Sequence, residues 1–244
     1  MKRSPHLLAV ILLLFGTNAL GQQDQPFHPA PSADGQQPAH NQINVNWLYG
    51  SYIPKEVPRQ SLSGSERWKL YIRQTYTTPG IYLKTTFFAL TDHVSDRHPQ
   101  WGDDFAGFAK RFGDRQAEFV IQNSVSSLGN GLVGWEPRYD RCRCAGFWPR
   151  LRYAFLRNFV TYDKTETAFR PQIMPYLGAF AASALATNWQ PGNPTWQVSG
   201  YQAAITQSYV GVGVNLLGEF APEITGILRR NKSRQVTANA GRQP

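Results

Sequence analysis

The sequence predicts an all-α fold, a helical bundle of about six helices, and three observations carry that reading. Two capping-box patterns, Ser63-Gly64-Ser65-Glu66 and Ser199-Gly200-Tyr201-Gln202, stand ahead of apolar segments. Phe105, Phe108, Phe112 and Phe119 recur at helical spacing. From Pro171 to Gly218 no Asp, Glu, Lys, Arg or His occurs in 48 residues, although 17% of the chain is charged. Inside that run Gly178, Ala182 and Ala186 repeat every four residues, which strips one helix face of bulk and lets another backbone approach closely.

The chain opens with a predicted signal peptide, residues 1–21. Lys2 and Arg3 supply the positive n-region, Leu7 to Phe15 an apolar run too short to span a bilayer, and Ala19 and Gly21 the small residues before the cleavage point. No cysteine follows the apolar run, so no lipid-anchored N-terminus is expected. Residues 22–46 are rich in Pro and Gln and poor in large apolar side chains, so they bury too little surface to offset chain entropy and read as a disordered leader. Residues 47–230 read as a single helical domain, and 231–244 as a disordered basic tail.

Within the domain the elements follow in order. Ser63 caps a first helix carrying Trp68, Tyr71 and Ile72 on one face. Thr78-Pro79 opens a second through Leu90, since proline suits the first helical position. Its Ile81, Thr85, Thr86, Phe87 and Phe88 would equally suit a strand. Asp103 and Asp104 favour the positive end of a third helix, whose phenylalanine stripe runs to about Leu128. A fourth begins at Pro149, with Leu151, Phe155 and Phe159 inward and Arg150 and Arg157 on a common outer face. A fifth covers about Gln172 to Asn188. The sixth runs from Ser199 to Glu219, with Pro222 kinking or restarting it before Arg230. The fifth and sixth form a small-residue hairpin, with Gly178, Ala182 and Ala186 facing Ala204, Ser208 and Gly211.

Two competing architectures use the same residues. Val210-Gly211-Val212-Gly213-Val214 alternates like a strand, the unit of an outer-membrane β-barrel, though regular ten-residue alternation is missing elsewhere. Alternatively the chain is an integral membrane protein with helices near 119–135, 172–189 and 201–218, diluted by Gln122, Asn123, Asn188 and Gln207.

Composition narrows the partners. Removing Lys2 and Arg3 takes the formal charge from +9 to +7, and a basic exported protein points to an anionic membrane surface or an envelope polymer, with no nucleic acid. The sequence identifies no protein partner and no cofactor. Gly129-Asn130-Gly131-Leu132-Val133-Gly134 matches the dinucleotide pattern, but it closes a helix instead of opening one, so it reads as a glycine-rich helix stop.

Two clusters remain as candidate sites. Asp92, His93, Asp96 and His98 place two imidazoles and two carboxylates within seven residues, the groups a divalent metal or an acid/base pair uses, without a fixed metal spacing. Arg138, Arg141, Arg143, Arg150, Arg152 and Arg157 fall within twenty residues, interleaved with aromatic residues, a pattern suited to anions at a lipid interface. The bland alternative is a solvated face paired with nearby carboxylates. Cys142 and Cys144, two residues apart, read as incidental thiols too close for an unstrained bridge.

Trp101-Gly102, Gly107-Phe108-Ala109-Lys110-Arg111-Phe112-Gly113, Pro137-Arg138-Tyr139 and the run Trp148 to Arg157 with its Tyr153-Ala154 resemble a loose group of exported bacterial proteins of unknown function. The resemblance covers about Asp92 to Arg230. It implies a small-residue-rich helical fold and carries over no catalytic residue, and the two cysteines depart from it. The expected function is a non-enzymatic cell-envelope protein whose basic aromatic segment contacts an anionic surface. The alternative is a periplasmic hydrolase or metal-binding enzyme centred on His93 and His98.

Overall fold

Ser63 starts the first helix through a reciprocal cap. Its Oγ accepts from the Glu66 amide at 3.3 Å, while Glu66 Oε2 accepts from the Ser63 amide at 2.8 Å, which satisfies two otherwise orphaned donors. The computed structural model describes residues 43–164, 168–192 and 194–240, and in them the chain is a helical bundle. Helix α1 spans Gly64–Ile72 and passes through a π-turn at Arg73–Thr77 into α2, Pro79–Val94, with Pro79 at its first position. The stretch from Ile81 to Phe88 is therefore helical. Helix α3 covers Phe105–Val133, α4 Phe147–Leu156, α5 Met174–Ala186 and α6 Trp196–Ala240. The strand-like Val210 to Val214 lies inside α6.

The strands are short. β1 (Asn44–Asn46) pairs antiparallel with β2 (Gly50–Ile53), which pairs in parallel with β3 (Tyr139–Asp140), and β4 (Val160–Tyr162) pairs antiparallel with β5 (Phe169–Pro171). Among the described residues none exceeds four residues and no barrel closes, so the β-barrel alternative falls. Among them, too, no helix is long and apolar enough to cross a membrane. β1 starts inside the span read as leader, and α6 continues through most of the tail from 231 to 240. The signal peptide, the leader up to residue 42 and the last four tail residues lie outside the described residues.

Helix α3 is the axis, with α2 and α5 on its flanks, α6 against α5, and α4 against α6. The closest approach is between α3 and α5. A Cβ on Gly178 would collide with Ser126 Oγ and lie 2.5 Å from the Gln122 carbonyl oxygen, and one on Gly129 would collide with Met174 Sδ. Gly178, Ala182 and Ala186 are all buried, as their spacing predicts. Their neighbour is only partly the expected one. Gly178 backs onto α3, while Gly211 of α6 receives the Asn158 side chain, so the predicted hairpin face is divided between two partners.

Four further expectations are corrected. Helix α3 runs five residues past Leu128 and stops at Gly134, whose φ of 75° is the left-handed cap, so the first two glycines of the dinucleotide-like pattern are helical. Its buried residues are Gly107, Arg111, Asp114 and Asn130, while Phe105 is 83% exposed. The polar set recurs at the same three-and-four spacing as the phenylalanine stripe, and ion pairing within the bundle selects it. Helix α6 begins at Trp196, so Ser199 is an interior residue and no cap. Arg157, expected on an outer face, is 3% exposed, and Phe159, expected inward, is exposed.

Pro222 neither breaks nor restarts α6. Proline lacks the amide that would bond the Gly218 carbonyl one turn earlier. Arg141 Nε donates to that carbonyl instead, at 2.9 Å. The guanidinium thus fills the gap in the helix ladder.

Candidate functional site

The interior is polar to an unusual degree. Arg111 and Glu219 are among its largest fully buried side chains, and each is saturated with partners. Glu219 accepts from the Tyr139 hydroxyl at 3.0 Å, the Cys142 amide at 2.9 Å and Arg150 Nε at 2.8 Å. Burial and the Glu219 charge together push the Tyr139 hydroxyl well above the usual phenol range. Asp140 accepts from Arg157 Nε at 2.6 Å and from the Tyr153 hydroxyl, and Arg59 Nε lies 3.0 Å away.

These contacts absorb most of the predicted arginine patch. Arg138 holds Glu136 at 2.7 Å and the Gln60 carbonyl, Arg150 holds Glu219 and Glu223, and Arg157 holds Asp140. Arg141 bridges the Gly218 carbonyl and the Tyr49 hydroxyl, with its guanidinium 4.5 Å from the Tyr52 ring centroid. Four of the six are internal ties. Only Arg143 and Arg152 are exposed, and Arg143 bonds the Val57 carbonyl. Arg152 lies one turn beyond Trp148 on α4, and Trp148 is 74% exposed beside exposed Phe147.

Cys142 and Cys144, read as two free thiols, are joined in a disulfide. The Cys-Arg-Cys backbone turns enough to set their Cα atoms 5.2 Å apart, inside the ordinary range for a bridge.

The histidine and carboxylate cluster is organised around two arginines. Arg111 donates to the backbone carbonyls of Arg97 at 2.9 Å, Gly102 at 2.7 Å and His98 at 3.2 Å, and its Nη1 lies 3.2 Å from His93 Nδ1. Guanidinium has no acceptor, so Nδ1 of His93 accepts there. Both oxygens of Asp92 receive Arg115, and Asp96 stays 3.8 Å from Arg111. Asp96 and His98 take positive φ values, 51° and 59°, as the loop wraps the guanidinium. Burial and the neighbouring Arg97 charge hold His98 below the usual imidazole value. Among the described residues no three His, Cys, Asp or Glu side chains converge as a metal would require.

Two adjoining cavities share a wall, one of about 270 Å³ between the β1–β2 segment, α2, α3 and α6, and one of about 220 Å³ between α2, α3, α5 and α6. Lys84, Phe119, Gln122, Gln207 and Val210 line both. Gln122 Nε2 donates to Gln207 Oε1 at 2.7 Å, which fixes the amide pair in the shared wall. Lys84 Nζ lies 5.1 Å from the Phe119 ring centroid and has no carboxylate or hydrogen-bond acceptor among the described residues. Burial pushes its ammonium below the usual lysine value.

No family model, curated protein or solved structure matches the chain. Sequence reasoning missed Lys84, although a signal existed: it is the only charged residue between Arg73 and Asp92, beside the stripe Ile81, Thr85 and Ala89 that α2 buries.

Proposed function

We propose that this is an exported, non-enzymatic protein of the cell envelope that rests on an anionic membrane surface through the N-terminal end of α4. The observation that carries the reading is the pairing of Trp148, 74% exposed, with Arg152 one turn further on, flanked by exposed Phe147 and Arg143. An indole settles at the boundary between headgroups and acyl chains, and an arginine beside it reaches the phosphates. The rest of the arginine segment ties the bundle together, so membrane contact falls to these four residues. The signal peptide read in residues 1–21 supports delivery outside the cytoplasm. No observation favours the hydrolase reading, since Asp92 is committed to Arg115 and His93 to Arg111.

Flotation of the purified protein with vesicles tests this. Binding to phosphatidylglycerol-containing vesicles is expected to exceed binding to pure phosphatidylcholine and to fall with salt. A Trp148→Ala/Arg152→Glu double variant should bind at least tenfold more weakly, since each basic residue near such a surface contributes about 1 kcal/mol. Equal binding by variant and native protein would remove the proposal.

A further inference from the structure

A desolvated ammonium is costly unless something pairs it. Half-buried Lys84 lines the wall common to both cavities, its ammonium near the Phe119 ring, and the amides of Gln122 and Gln207 line the same wall. The charges lining the smaller cavity are Lys84, Arg97, Arg115 and Glu118. Arg115 is bonded to Glu118 at 2.7 Å and to Asp92, and Arg97 lies 3.7 Å from Asp92. Two cations are thus matched by two carboxylates, and one positive charge, that of Lys84, is left over. A single uncompensated charge suits a monoanion, and Glu118 disfavours a dianion. Because Gln207 Oε1 is occupied by Gln122, its amide nitrogen remains a second donor on the same wall. Phe88, Phe119, Val210 and Ala182 supply the apolar remainder. The smaller cavity, about 220 Å³, is on the scale of a short acid.

We propose that Lys84 and Gln207 bind the carboxylate of a small monocarboxylate whose apolar body lies against Phe88 and Phe119. This goes beyond the membrane reading and does not rest on it.

The test uses the purified protein without lipid, with octanoate as the probe and octylammonium and inorganic phosphate as controls. Octanoate should show saturable binding by ligand-observed NMR at millimolar concentration or below. It should slow acetylation of Lys84 by acetic anhydride, read by mass spectrometry, while Lys55 and Lys110 label at an unchanged rate. The controls should do neither. Lys84→Met should weaken octanoate binding at least tenfold. The labelling experiment needs no variant, so a folding defect in Lys84→Met would leave it intact. Absence of octanoate binding, equal protection by octylammonium or phosphate, or undiminished binding by Lys84→Met would each overturn the proposal.

Discussion

Arg111 is 1% exposed, and its guanidinium meets three carbonyls of the loop between α2 and α3 and the His93 imidazole at the end of α2. Lysine cannot reproduce that fork, because a single ammonium cannot address acceptors on several sides of a planar group. Arg111→Lys is therefore expected to lower stability by about 2–3 kcal/mol in urea denaturation, as buried acceptors lose their donors. Lys84 makes the complementary case, a half-buried charge without a partner. Its folded pKa lies below the ordinary value of about 10.4, so between the two values the unfolded chain binds more protons. Stability then rises with pH through that window; it is fully present above the ordinary value and lost as pH falls through the folded one. Comparing native protein with Lys84→Met by denaturation from pH 7 to pH 10.5 checks the sign. The variant should be at least as stable at pH 7, and the native protein should gain on it as pH rises. A difference that stays flat with pH would show that burial does not set this lysine's charge.

At the scale of elements, the starts of α1, α2 and α3 were legible because their causes are local. Ser63 with Glu66, Thr78-Pro79 and Asp104 each act within one turn, and each stands where the sequence places it. The α3 face was not legible, since Phe105/Phe108/Phe112 and Gly107/Arg111/Asp114 share one spacing, and only partners from other elements choose between them. The Gln190 amide, 3.0 Å from Asp114, is one such partner and lies 76 positions away. Pro222 gives the same lesson, because its rescue comes from Arg141, 77 positions from the carbonyl it bonds. Arg141→Met should leave that carbonyl unbonded and cost about 1–3 kcal/mol. Amide exchange should quicken selectively in α6 around Gly218 to Thr225. Unchanged exchange there would mean the proline gap is bridged some other way.

Across the whole molecule, polarity is distributed against the usual rule. Arginines and carboxylates share the interior with apolar residues such as Leu70 and Ile81, while Val94, Phe105, Leu132 and Trp148 are each at least 74% exposed. That inversion explains why the fold class was legible and the site was not. Helical periodicity survives exchange of the inner and outer faces, whereas a reading that sends apolar residues inward puts Lys84 and four of the six arginines in solvent. It also bears on how the chain reaches its final form. Glu219 joins Arg150, the Cys142 amide and Tyr139 across separations of 69, 77 and 80 positions. None of those donors meets its acceptor until residue 219 arrives, and bringing such distant points together costs loop entropy before any bond repays it. Closure of this cluster is therefore expected late in folding. Tyr139, Cys142 and Arg150, however well the earlier helices start, lack this acceptor until the last helix brings it to them.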